Sequence, residues 1–324
     1  MNTKPFVSVV MSVYNGELFL KEAIDSILSQ TYKKFEFIII DDGSTDGSLN
    51  IINEYSDERI KILVNPKNEG LIFSLNKGIE LATGDAICFL DSDDYISKGC
   101  IEEMTSLMEK YNADVSIIQM KYIREDENEE SQSEGKLIKV LDSQDAIEES
   151  LYQRNFTCCA PAKLYKRSVI GEVRFPVGRI SEDLATCHLF LDNADWIVYS
   201  DYYGYYYRQH ATSIMHIFNP RRLDALKWAR SIERFCAEKY PQICVAAYCR
   251  TFNVAVHLLL DLPDQGKVHD KYIHEIWNEV KRTRLKTLFN RKARIREKIA
   301  IILSFGGEKL LKMVWNSKVA IRKD

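Results

Sequence analysis

Phe37-Ile38-Ile39-Ile40-Asp41-Asp42-Gly43-Ser44-Thr45-Asp46-Gly47 passes from an apolar run straight into clustered carboxylates and turn residues. Short apolar runs bounded in this way read as strands buried on both faces of a parallel sheet. The shape recurs in Ile87-Cys88-Phe89-Leu90-Asp91-Ser92-Asp93-Asp94. Ligands of open α/β sheets bind beyond the carboxyl ends of such strands. Carboxylates gathered there suit a hard divalent cation that also bridges to phosphate oxygens. Together they imply a metal-assisted nucleotide site.

Outward from these stretches, residues 7–13 read as the first strand, followed by helical spacing in Leu18, Leu20, Ala23, Ile24, Ile27 and Leu28. Strands are expected at 35–40, 60–64 and 86–90, and helices at 48–56, 71–82 and 98–111. This alternation predicts a parallel sheet with crossover helices. The acidic, polar stretch 124–136 is expected to be an exposed loop or hairpin tip. Beyond Pro220 the pattern turns helical, at 221–238, 242–261 and 268–288. The expected organisation is a domain over 1–215, with a nucleotide-binding half (1–115) and an acceptor and catalytic half (116–215). A helical region over 216–324 follows, ending in a basic amphipathic tail, 281–324.

The 324 residues are 46% hydrophobic and 28% charged, ordinary for a globular chain. Net charge is −3, but residues 281–323 carry fourteen Lys or Arg against Glu297 and Glu308, leaving −15 on the rest. A basic tail on an acidic body points to an anionic surface as partner. Residues 1–13 show no signal-peptide pattern, no run of about eighteen apolar residues occurs, and the eight cysteines lack zinc spacing. These features lead to the expectation of a cytoplasmic protein with reduced thiols.

A lone D-x-D is a weak signal; the strand ends before it and upstream make Asp91-Ser92-Asp93 a strong one. Asp93 is the expected metal ligand, with Asp91 on ribose or metal and Ser92 beside them. In Ser12-Val13-Tyr14-Asn15-Gly16-Glu17, Tyr14 is placed to stack on a base and the backbone near Ser12 to read its edge, with Asn15 and Glu17 in the same turn. Asp42 is placed to accept from a base or ribose, against the simpler role of a capping carboxylate. Ser181-Glu182-Asp183-Leu184 reads as a helix start whose acids suit the positive end of the dipole.

These stretches resemble the family 2 inverting glycosyltransferases of the GT-A fold. The likeness runs in order through Val7–Asn15, Ser26–Thr31, Asp41–Asp46, Asn68–Gly70, Asn76–Ile79, Ala82–Asp85 and Phe89–Asp94. It implies an α/β, Rossmann-like, mostly parallel sheet flanked by helices, with a helical C-terminal extension. It further implies that Ser12, Tyr14 and Asp42 hold the base and that 91–93 holds ribose and a Mg²⁺ or Mn²⁺ ion. Asp183, with Glu182 beside it, matches the catalytic base. Ser12 stands where proline is frequent, and Leu75 where many members have arginine. In Tyr207-Arg208-Gln209-His210, similar to many bacterial relatives, Arg208 is expected to neutralise the diphosphate and His210 to approach the metal or its phosphates, against the simpler reading of a polar cluster closing the strand 197–207.

The expected activity is inverting transfer of a sugar, most simply UDP-linked, to a saccharide or lipid-linked saccharide in cell-surface polysaccharide synthesis. The rivals are a non-catalytic nucleotide-sugar binding protein and a nucleotidyltransferase; the Gly-rich basic loop of the latter is missing from the first turn. In the tail, basic 281–298 precedes Ile299-Ala300-Ile301-Ile302-Leu303-Ser304-Phe305 and then Leu310, Leu311, Met313, Val314 and Trp315. A basic amphipathic helix of this kind lies in a membrane interface, each Lys or Arg near anionic lipid adding roughly 1 kcal/mol. The alternative is a helix packed on the body. A peripheral position on the inner face of the cell membrane is therefore expected, and no recognition motif calls for nucleic acid.

Overall fold

The computed structural model describes residues 4–124, 135–209 and 219–321, with side chains as far as Trp315. Most of the expected acidic loop (125–134) and His210 lie outside the described residues. The chain forms two compact units. One comprises Met1–Ile147, Asn155–Gly178 and Thr186–Ala211; the other comprises Glu148–Arg154, Arg179–Ala185 and Thr212–Asp324.

In the first unit the order is β1 (Val7–Val13), α1 (Leu20–Leu28), β2 (Phe35–Asp41), α2 (Ser48–Asn53), β3 (Ile60–Val64) and α3 (Leu71–Leu81). Next come β4 (Ala86–Phe89), β5 (Tyr95–Ile96), α4 (Cys100–Tyr111), β6 (Val115–Arg124), β7 (Ile138–Leu141) and α5 (Ser143–Tyr152). Then follow β8 (Lys163–Lys166), α6 (Arg167–Ile170), α7 (Glu182–Asp192) and β9 (Ile197–Gln209). Both α5 and α7 pass from one unit into the other. The strands order as β3-β2-β1-β4-β8-β6-β9-β5, with β7 on β9. Pairs β2–β3, β1–β2, β1–β4 and β6–β9 are parallel, whereas β8 runs antiparallel between β4 and β6. Six described strands thus share one direction, with β5, β7 and β8 reversed.

Every residue of β1 and β2 is buried, as expected for mostly apolar strands covered on both faces, and Ser8 and Glu36 are buried with them. Helix α1 presents Leu20, Ala23, Ile24 and Ile27 to the core, the i, i+3, i+4, i+7 face of a 3.6-residue period. Each of the larger three contributes about 1.5–3 kcal/mol on burial. Helix α3 lies close to the sheet because Gly78 has no side chain; a Cβ there would sit 2.2 Å from Val10 Cγ1. Asn76 on the same helix donates to Phe175 O at 2.9 Å and accepts from Phe175 N at 3.0 Å.

At the amino end of the sheet, Glu36 ties three strands together. It accepts from Ser8 Oγ (2.6 Å) and Thr83 N (2.7 Å) and pairs with Lys61 Nζ (2.5 Å). Asp85 accepts from Phe6 N at 2.8 Å. The Ala82–Asp85 stretch therefore builds the sheet from the end opposite the acidic turns.

The second unit contains α8 (Asp224–Lys239), α9 (Cys244–Asp261), α10 (Lys267–Leu288), α11 (Ile295–Ser304) and α12 (Glu308–Ile321). Its centre is α9, which buries Phe252, Val254, Ala255, Leu258 and Leu259 among others. Pro241–Asp261 has the length and hydropathy of a membrane span, but about two-thirds of it is buried within the protein. That burial, with Arg250 and Asn253 inside the segment, marks it as a core helix of the bundle. Arg282 joins Glu233 and Glu279 at 2.7 Å each, lacing α8 to α10.

Candidate functional site

The ends of β1, β2 and β4 lie side by side, since Val13 pairs with Asp41 and Val10 with Phe89. With β2 on one side of β1 and β4 on the other, the turns after them open at the place where strand order reverses, where α/β sheets bind ligands. The first two turns are stitched together. Asn15, in the left-handed region at φ 51, accepts from Thr45 N at its Oδ1 (2.8 Å) and donates its backbone N–H to Ser44 Oγ (3.1 Å). Gly16 N donates to Ser48 Oγ at 2.9 Å, Glu17 N to Asp46 Oδ2 at 3.1 Å, and Gly47 N to Glu17 Oε2 at 2.7 Å. A Cβ on Gly16 would stand 3.3 Å from Ser92 Oγ, so the β4 turn adjoins the same loop.

Tyr14 projects from this framework with 47% of its surface exposed, an aromatic face available to a base. Ser12 is buried on β1. Asp42 is also buried, and accepts from Asn65 Nδ2 (2.7 Å), Glu69 N (3.1 Å) and Gly70 N (2.7 Å). Its carboxylate thus holds the loop that starts α3, the capping role weighed above, with three of about four acceptor positions used. Asn15 and Glu17 likewise act through the neighbouring turn. Asp41 was not singled out from sequence; its Oδ2 accepts from Ser44 N at 3.3 Å, and its buried Oδ1 has no hydrogen-bond partner among the described residues.

The β4 turn is held from β9. Tyr205 donates to Asp94 Oδ2 at 2.7 Å, and Arg208 N to Asp94 Oδ1 at 2.8 Å. Asp94 is buried, and burial together with the neighbouring Asp93 charge pushes its carboxyl up to about 7. Burial and the same cluster of carboxylates push the Tyr207 phenol up to about 12. Asp91 and Asp93 remain partly exposed.

Sequence reasoning placed Arg208 on a diphosphate. Its side chain is only 2% exposed, paired with Glu22, donating from Nε to Asp93 O at 3.1 Å and lying 4.6 Å from the Phe19 ring centre. In the structure Arg208 is engaged within the protein and braces the acidic turn, in keeping with a polar cluster that closes its strand. Asp94, Tyr205 and Glu22 were missed for this role. Only the Asp93-Asp94 repetition hinted at it, because the partners lie far apart in sequence.

A divalent cation at Asp91 and Asp93 would find no third His, Cys, Asp or Glu gathered with them among the described residues. Two accessible carboxylates in a strongly negative turn fit an ion that takes its remaining oxygens from phosphates and water, as Mg²⁺ commonly does. Glu182 and Asp183 belong to the second unit and form the first turn of α7, after Ser181 in the left-handed region at φ 60. Burial raises the Glu182 carboxyl above the usual range.

Residues 8–174 match the family described as "Glycosyl transferase family 2". The chain belongs to this family. It is therefore a glycosyltransferase. Among curated relatives, glycosyltransferase GlyG of Streptococcus pneumoniae is 34% identical over 257 residues, covering 74% of this chain and 81% of GlyG. Glycosyltransferase GlyA of the same organism is 30% identical over 234 residues, covering 69% of this chain but 34% of GlyA. The structure of S. aureus TarS 1–349 in complex with UDP-GlcNAc aligns with a TM-score of 0.65 at 20% identity, covering 92% and 91% of the two chains. That likeness establishes the transferase fold, helical C-terminal region included.

Proposed function

We propose that this glycosyltransferase moves a sugar, with inversion, from a UDP-linked donor to a hydroxyl of a saccharide or lipid-linked saccharide destined for the cell surface. The observation that carries this reading is the junction of strand ends at which the stitched β1 and β2 turns, with Tyr14 exposed on the first, adjoin the Asp91-Ser92-Asp93 turn at Gly16 and Ser92. Tyr14 stacks on the base, Ser12 reads it through its backbone, and Asp91 and Asp93 face the ribose and diphosphate. Asp91 and Asp93 would hold Mg²⁺ or Mn²⁺, which when bound offsets charge on the diphosphate leaving group. Asp183, or Glu182 beside it, takes the acceptor proton as the acceptor oxygen bonds to the anomeric carbon and the carbon–diphosphate bond breaks. No enzyme nucleophile is needed in a single displacement. UDP as donor nucleotide accords with the UDP-GlcNAc complex of TarS, and a cytoplasmic station accords with the supply of nucleotide sugars there.

Calorimetry of UDP and GDP, with and without Mn²⁺, on wild type and Asp93→Ala is the test. Metal-dependent UDP binding lost in Asp93→Ala supports the assignment. Absence of binding by either nucleotide overturns it, and preference for GDP overturns the donor.

A further inference from the structure

In the second unit, α11 turns apolar side chains outward. Ile295, Ile299 and Ile302 fall at i, i+4 and i+7, on one face, and are 78%, 38% and 63% exposed. The opposite face, with Glu297, Ala300, Ile301 and Ser304, is the one buried in the bundle. Packing of the bundle therefore does not account for the isoleucines. Phe289 and Phe305, just before and just after the helix, are exposed as well, and the Arg284 guanidinium lies 4.2 Å from the Phe305 ring centre. At 100° per residue, Arg296 and Lys298 flank the isoleucine stripe on its two sides.

Soluble surfaces seldom expose apolar residues in such a contiguous row. An apolar stripe rimmed by cations is the pattern of a helix that lies in a bilayer interface. Charge selects among possible occupants. A second copy would set one segment of net +12 against another, whereas an anionic lipid surface satisfies the stripe and its rim together.

We propose that α11 docks the protein on an anionic bilayer, with Ile295, Ile299, Ile302 and Phe305 at the acyl boundary and Arg296 and Lys298 among the headgroups. The inference concerns the bundle alone and does not depend on the catalytic assignment. Flotation of the full chain with phosphatidylcholine vesicles, with and without phosphatidylglycerol, tests it at low and high salt. Binding is expected only with phosphatidylglycerol and should weaken with salt. The double variant Ile299→Glu/Ile302→Glu should lose at least about tenfold in partitioning, while Ile299→Leu/Ile302→Leu retains it. Both side chains are exposed, so the melting temperature should hold in each variant. The proposal is overturned if the wild type fails to float with phosphatidylglycerol vesicles or if the Glu variant floats equally well. It is also overturned if light scattering shows a dimer that the Glu variant splits, which would make the stripe a contact between copies.

Discussion

Tyr205 donates its phenol hydrogen to Asp94 Oδ2 across 2.7 Å, and the same phenol oxygen accepts the Asp91 amide at 3.3 Å. One side chain on β9 thus holds both ends of the acidic turn after β4. Tyr205→Phe removes the hydroxyl and leaves a buried carboxylate oxygen and an amide less satisfied, at about 1–3 kcal/mol. The expected outcome is about tenfold weaker metal-dependent UDP binding, with KM raised more than kcat is lowered. A lower melting temperature with unchanged nucleotide affinity would confine Tyr205 to folding.

Arg208 can serve either as a brace of the acidic turn or as a ligand of the diphosphate, and stability separates the two. Its guanidinium is buried against Glu22, Phe19 and the Asp93 carbonyl. Arg208→Ala leaves those partners uncompensated and should cost on the order of 3–5 kcal/mol, read as a fall in urea midpoint. Glu22→Gln should cost far less, because Glu22 is partly exposed and keeps a hydrogen-bonding group. Should Arg208→Ala unfold at the wild-type midpoint yet lose UDP affinity, direct contact with phosphate would be restored as its role.

The contrast between Arg208 and the strand ends shows what the sequence makes legible. The apolar runs Phe37–Ile40 and Ile87–Leu90 and the largely apolar β1 let burial on both faces be read locally, together with the acidic turns that follow the first two. Strand β8 carries no such signal: Lys163-Leu164-Tyr165-Lys166 has only two apolar residues between lysines, yet it enters the centre of the sheet antiparallel. The Tyr205–Asp94 and Arg208–Glu22 partnerships span 111 and 186 residues, distances that no periodicity covers. Asp42 was legible as important, while the direction of its carboxylate depended on where the Asn65–Gly70 loop came to rest.

Glu36 gives the first unit a pH dependence. Burial alone would raise its carboxyl, but hydrogen bonds from Lys61, Ser8 and Thr83 prevail and hold it at about 2. Because the folded value lies below the unfolded one, near 4.5, the stabilisation is complete above 4.5 and is lost as pH falls toward 2. Glu36→Gln should destabilise at neutral pH and reduce the slope of stability between pH 4.5 and 2. Equal slopes in the two proteins by urea titration would remove Glu36 from the account.

Gly78 tests the packing of α3. A methyl group there would meet Val10 Cγ1 at 2.2 Å and Ile40 Cδ1 at 3.1 Å, both on strands that end in the site. Although alanine favours a helix, Gly78→Ala should destabilise by about 1–3 kcal/mol through overpacking. Thermal denaturation that shows stabilisation would mean the helix shifts outward freely.

The choice between Asp183 and Glu182 is the sharpest question for catalysis, since two arguments about them diverge. Family resemblance points to Asp183. Physical chemistry points to its neighbour, because burial raises the Glu182 carboxyl and a general base works best when its pKa approaches the operating pH. Asn and Gln preserve shape while removing basicity, so Asp183→Asn and Glu182→Gln separate the two. If Asp183 is the base, Asp183→Asn should lower kcat by about 10²–10⁴-fold with UDP affinity unchanged, and Glu182→Gln should retain most turnover. The reverse order would transfer the role to Glu182. Comparable losses in both would mean that the pair shares the proton, and the pH profile of the surviving activity would then belong to the pair rather than to either residue.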